Sequence, residues 1–152
     1  MAVYQIVKIG DEILRQQAQK IEKVTPQIEK LLDNLKDTLY ATEMGVGLAA
    51  PQIGISKRVI VVDLDDELYE LINPEIVQAE GSATDTEGCL SVPGLMGDVV
   101  RASKVLVKTL NRQGEEVEIS AQGLLARAFQ HEIDHLNGIL FVDKAENIRP
   151  VE

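Results

Sequence analysis

The apolar residues change their spacing several times along the chain, and each change marks an element. In "TPQIEKLLDNLKDTLYAT" (25–42), Ile28, Leu31, Leu32, Leu35 and Leu39 recur at intervals of three and four, the stripe of an amphipathic helix. Thr25 suits its N-cap, and Pro26 the first helical position, where a missing N–H costs no hydrogen bond. "RVIVVDL" (58–64) predicts a strand, "ELYELINP" (67–74) a weaker one and "EIVQAE" (75–80) another. "KVLVKTLNRQGEEVEIS" (104–120) alternates about a glycine-containing turn and predicts a hairpin. In "GLLARAFQHEIDHLNG" (123–138) the period returns to that of a helix, ended by Asn137 and Gly138. "MGVGLAAPQIG" (44–54) breaks regular structure with glycine and proline.

This order of elements, with no repeat, linker or low-complexity tail, predicts one α+β domain over residues 1–152. Antiparallel or mixed sheets would pack around the 123–136 helix, with the N-terminal helix as a second one. Leu125, Phe129, Ile133 and Leu136 give that later helix apolar contacts around most of its circumference, so it is expected to be central and largely wrapped.

Composition narrows the setting. With two Phe, three Tyr and no Trp, the core must be aliphatic. One cysteine excludes an internal disulfide, so no oxidising compartment is needed. The start "MAVYQIVKIG" has no signal-peptide pattern and no segment reaches membrane-spanning length, which predicts a soluble, cytoplasmic protein. A net charge of -10 argues against general nucleic-acid binding.

The chemistry lies in "HEIDH". His131 and His135, the only histidines, stand four residues apart on one helical face and can clamp a divalent cation, with Glu132 beside them to handle a proton. The bland alternative is a pair of satisfied histidines in an ordinary helix. Leu124 and Ala128 share the histidine face and are either pocket lining or core.

Three protein ligands and a water are usual for a catalytic cation. One large class of metalloproteases continues as HExxHxxGxxH, but "HEIDHLNGILF" puts Phe141 where the last histidine would be. Glu146 is the nearest later acid, and "KAENIRPVE" offers little to hold it. The third ligand is therefore expected upstream. Cys89, in "EGCLS" (87–91), is the strongest candidate, since thiolate with imidazole suits zinc or ferrous iron. A lone cysteine is more often a small buried hydrophobe, with Gly88 shaping a turn, Glu87 capping backbone donors and Ser91 facing water. A Cys–His nucleophilic pair would leave the second histidine unexplained.

With "GVGLAAPQ" (45–52), "EGCLS" and "HEIDH" in this order, nearly the whole chain resembles the peptide deformylases. The resemblance implies an enzyme that removes the formyl group from the N-terminal methionine of new polypeptides and releases formate. It implies Cys89, His131 and His135 as ligands of one divalent metal with water as the fourth, and Glu132 as the group that takes and returns a proton. Gln52 and the Leu90 backbone N–H would hold the developing oxyanion, and Gly45, Val46 and Gly47 the peptide. Glu87 would stand beside the ligands without binding the metal. Fe2+ is the metal expected in the cell, with zinc, nickel or cobalt in preparations.

Some relatives carry a C-terminal helix that docks on the ribosome; "NIRPVE" is not such a helix, so only transient ribosome proximity is expected, for a monomer without nucleic-acid or membrane partners. Arg127 stands where some members have an apolar residue, at the pocket edge or against an acid. Arg101 could meet a peptide carboxylate or form a structural ion pair. The competing activity is a metallopeptidase with the same Cys/His/His site. A non-enzymatic metal-stabilised domain would need a fourth soft ligand that the chain lacks.

Overall fold

The strand Val59–Leu64 is buried on both faces at its start, and the two larger parts of the core form on either side of it. This is why "VIVV" is a continuous apolar run rather than an alternating one. A computed structural model describes residues 3–42 and 45–151. Its larger sheet has five antiparallel strands in the order β1 (Gly47–Ala49), β2 (Val59–Leu64), β3 (Glu67–Glu80), β6 (Lys104–Leu110) and β7 (Glu116–Gln122). A smaller antiparallel sheet has the order β4 (Ala83–Cys89), β5 (Val92–Arg101) and β8 (Glu146–Pro150).

Helix α1 (Pro26–Tyr40) covers one face of the larger sheet. Its stripe, with Leu32 and Leu35 fully buried, meets Val59, Val61 and Ile72. Thr25 caps it, its side chain accepting from the Ile28 N–H, and Pro26 opens it. Helix α2 (Gly123–Leu136) covers the other face, where Ala126, Phe129, Ile133 and Leu136 meet Ile60, Val62, Leu71 and Val107. The Phe129 ring stands edge-on to Tyr69 with centroids 5.5 Å apart. Leu14, Val92, Val99, Leu140 and Phe141 form a third cluster against the smaller sheet.

The end of α2 is held from outside. Arg58 donates to the Leu136 carbonyl at 3.0 Å and to Asn137 Oδ1 at 2.9 Å, placing a cation at the negative end of the helix. Gly138 follows with φ +74°, and a Cβ there would lie 2.6 Å from the Arg15 carbonyl oxygen. Only glycine satisfies both conditions.

Three expectations change, and the sheet type is narrowed. The two strands anticipated on either side of "NP" are one strand, β3, with irregular register between Ile72 and Glu75 and again between Ile76 and Gln78. Pro74 cannot donate to the ladder, yet the strand survives because Asn73 takes φ 53° and its side-chain amide pairs with both backbone groups of Ile21, at 2.8 and 2.7 Å. "EGCLS" is not a glycine turn: Glu87 to Cys89 complete β4, and the turn is Leu90–Ser91. Of the antiparallel or mixed sheets expected, the named strand pairs are antiparallel throughout. The tail is better scaffolded than its composition suggests, since β8 pairs with β5 through Leu95–Pro150 and Met96–Arg149.

Among the described residues, no helix is long and apolar enough to cross a membrane. Phe129 fills the junction of α2 with the larger sheet, so Phe129→Ala is expected to cost about 3–5 kcal/mol. Urea unfolding should show a lower midpoint at an unchanged slope.

Candidate metal centre and active site

Two elements on different parts of the fold supply the centre. Helix α2 carries His131 and His135 on successive turns, with ring centroids 5.1 Å apart. Strand β4 brings Cys89 to them through the register shift between Glu87 and Cys89, which re-aims the last side chain of the strand. One ligand atom from each residue lies within 4.8 Å of the others. Cys89 Sγ is 3.3 Å from His135 Nε2.

The imidazoles are oriented before any cation enters. His131 Nδ1 donates to Glu87 Oε1 at 2.9 Å, leaving Nε2 as its free nitrogen. His135 Nδ1 is buried without a partner. One thiolate and two imidazoles suit a borderline divalent cation such as zinc or ferrous iron, and three ligands leave a position open, so the donor set fits. Glu146, the later acid considered from sequence, is exposed on β8 opposite Asp98 and outside this group.

Burial and neighbouring groups set the charge of each member of the cluster. Burial pushes His131 down, but hydrogen bonds to Cys89 and Glu87 outweigh it and raise the imidazole to about 10. Burial, then the charge of His131, pushes His135 well below its usual value. Were Cys89, His131 and His135 to hold a cation, the His131 nitrogen that faces it would have to be unprotonated, since ligand nitrogens must be neutral. Burial also pushes Glu132 up to about 7, against the opposing charge of His131. Glu132 Oε1 is buried and has no hydrogen-bond partner among the described residues.

Glu87 behaves oppositely. Burial works against its charge, yet hydrogen bonds from His131 and Arg101 hold its carboxyl well below the usual range. Arg101 donates to both its oxygens, at 2.6 and 2.9 Å, and Arg127 to Oε2 at 2.6 Å. Arg101 continues to Asp134 at 2.9 Å. Of the two roles open to Arg101, the structure shows the ion pair. Arg127 both lines the cavity and pairs with an acid.

A cavity of about 620 Å3 opens over these groups. Gly45, Val46, Gly47, Leu124 and Ala128 all line it, as do Gln52, Leu90 and Glu132. Leu124 is exposed at the mouth and Ala128 is buried, so both are pocket residues rather than core alone. Among the described residues, β1 is the outer strand of its sheet and pairs with β2 alone, which leaves its other edge available. Gly47 is needed for close approach: a Cβ there would lie 2.8 Å from Glu132 Oε2.

Gln52 is locked in orientation. Its Oε1 accepts from the Ala49 N–H at 2.9 Å, while Nε2 donates to Ser91 Oγ at 3.1 Å and lies 3.6 Å from Cys89 Sγ. Ser91 is fully buried and does not face water. The segment at 7–9 ties these pieces together, the Val7 N–H donating to the Gln52 carbonyl at 2.7 Å and the Ile9 N–H to the Ser91 carbonyl at 2.8 Å. Sequence reasoning missed Ser91, this N-terminal tie and Val151, which lines the cavity from beyond β8. None of these carried a local signal, whereas Arg127, placed from sequence at the pocket edge or against an acid, stands four residues before His131 on the same helix face.

The polypeptide deformylase family model matches residues 3–151. The chain is 67% identical over 148 residues to the peptide deformylase of Carboxydothermus hydrogenoformans, covering 97% of each sequence. It superposes on the crystal structure of peptide deformylase from Thermotoga maritima with TM-score 0.92 and 39% identity, over 96% of this chain and 99% of that one. A Met-Ala-Ser-bound peptide deformylase from Acinetobacter baumannii gives TM-score 0.90 and 41% identity, over 94% and 98% of the two chains. From its motifs, its fold and its relatives, the chain belongs to the polypeptide deformylase family.

Proposed function

We propose that this protein hydrolyses the N-formyl group of formylmethionyl peptides, releasing formate and a free methionine amine. The observation that carries the reading is a Cys/His/His cluster beside a buried carboxylate, Glu132, with a free oxygen at a peptide-sized cavity.

Cys89, His131 and His135 would hold the cation. When bound, it lowers the pKa of the attacking water and polarises the formyl oxygen. Glu132 takes a proton from that water and returns it to the departing amine. Its elevated value suits both duties, because the carboxylate is populated at neutral pH and its conjugate acid still gives up a proton readily. As the formyl carbon becomes tetrahedral, charge grows on its oxygen. Gln52 Nε2 and the Leu90 N–H are the donors proposed for that oxygen. Gln52 needs no reorientation for this duty, because Ala49 already fixes which end of its amide faces the site.

The backbone of the peptide would add to the free edge of β1 at Gly45 to Gly47, as an extra strand. The apolar cavity with Leu124 and Ala128 at its wall suits the methionine side chain. The bound Met-Ala-Ser of the Acinetobacter baumannii relative supports a short peptide beginning with methionine as the ligand. Ferrous iron is the cation we propose for the cell. The setting this reading implies is a cytoplasmic monomer acting on chains as they emerge from the ribosome.

Anaerobic, iron-loaded protein given formyl-Met-Ala-Ser is expected to release formate in step with free amine. Folded, metal-loaded protein that releases none would refute the activity. Glu132→Gln is expected to retain metal and lose about 100- to 10,000-fold in kcat, the range typical of a proton-transfer group. A near-normal rate in that variant would remove Glu132 from the chemistry.

A further inference from the structure

We propose that Arg127 is a positioning residue that keeps the two halves of the metal centre in register. It holds Glu87 where that carboxylate orients His131, and it ties α2 to the sheet that carries Cys89. The inference rests on the metal-centre reading above.

The centre is split between two bodies of the fold. Both histidines ride on α2, whose apolar side is committed to the larger sheet. The cysteine ends β4 of the smaller sheet. Nothing in the packing of α2 on the larger sheet sets how far Cys89 stands from the histidines. Charged side chains bridge that gap, and Arg127 is the guanidinium that comes from α2 itself.

Its donors fan across the smaller sheet. One nitrogen, Nη1, donates to Glu87 Oε2 at 2.6 Å and to the Val99 carbonyl on β5 at 3.0 Å. The other, Nη2, donates to the Ala83 carbonyl at the start of β4 at 2.8 Å. A single side chain thus fastens the helix to two adjacent strands, with the planar fork that a lysine lacks. Arg101 cannot substitute for it. That residue sits on β5, so its pair with Glu87 lies within the smaller sheet, and it reaches α2 only through Asp134.

Arg127 also stands one helical turn before His131, and both side chains approach the same carboxylate from successive turns. Glu87 then has four short contacts, two on each oxygen: His131 and Arg101 on Oε1, Arg101 and Arg127 on Oε2. These fill the lone-pair sites of a carboxylate and stop it rotating away from the imidazole. Although Arg127 lines the cavity, these donors turn into the protein rather than toward a ligand, and the residue is buried.

The test uses cobalt, whose thiolate charge-transfer absorption reports the Cys89 bond directly. Wild type, Arg127→Met, Arg127→Lys and Arg112→Met are loaded with Co2+, their spectra recorded, and the rate of cobalt loss to excess EDTA measured. Arg112 bridges Asp33 and Glu70, joining α1 to β3 away from the centre, and controls for general destabilisation. Arg127→Met is expected to lose cobalt about 10- to 100-fold faster, the effect typical of removing a group that orients a ligand. Its charge-transfer band should be weakened or shifted. Arg127→Lys should fall between it and wild type, and Arg112→Met should melt earlier while releasing cobalt at the wild-type rate.

Wild-type release and spectrum in Arg127→Met would overturn the proposal, as would equal acceleration by Arg112→Met. If Arg127→Met does not fold, Arg127→Lys decides, and a wild-type rate there overturns it. A wild type without any cobalt–thiolate band would instead remove the metal centre, and this inference with it.

Discussion

Glu87 stands nearly buried between two guanidinium groups and an imidazole, and an ionised carboxylate taken out of water persists only if its oxygens are fully occupied. That requirement reaches well beyond one residue. It commits Arg101 to the interior, which commits Asp134 to a place beside it, with Lys144 on that acid's outer side at 3.0 Å. It fixes which nitrogen of His131 is free. The polar side of α2 is therefore organised by a chain of alternating charges, while its apolar side is organised by close packing on the larger sheet. One helix serves two purposes because these two sides do not overlap.

The same division accounts for the behaviour of two acids on neighbouring elements. Glu87 has donors on both oxygens and stays ionised. Glu132, equally out of water, has an oxygen with no donor, and burial raises it toward neutrality. Neither value follows from residue type. Each follows from how many donors the fold points at the group, which is how two buried carboxylates come to differ in charge.

Much of this was readable in advance. Local periodicity found α1, β2, the β6–β7 hairpin and α2, because in each the apolar positions answer to a single face or pair of faces. The cluster of Cys89, His131 and His135 was readable because the chain has one cysteine and two histidines, and the histidines stand at ligand spacing. What escaped depends on contacts between distant segments. Asn73 keeps β3 continuous past Pro74 by pairing with Ile21, and no window around "NP" contains that partner. β8 looks like a polar tail until β5 is set beside it. The partners of Arg101 and Arg127 lie on other elements, so their charges were visible but their directions were not. Ser91, solvent-facing in the bland alternative for "EGCLS", could not be placed for the same reason, since the Gln52 amide that it receives comes from a separate block.

Gly47 joins the edge of β1, proposed to take the peptide, to Glu132, proposed to move the proton, more tightly than either motif suggests. There is no room between strand and carboxylate for even one added carbon, because a Cβ at 47 would contact Oε2, Cγ and Cδ of Glu132 at 2.8 to 3.1 Å. A mutation at this codon would therefore act first on the acid across the gap, and only secondly on the strand that bears it. Positions 47 and 132 are thus packed as one unit, and any side chain added at 47 must displace the Glu132 carboxyl from where the fold now holds it.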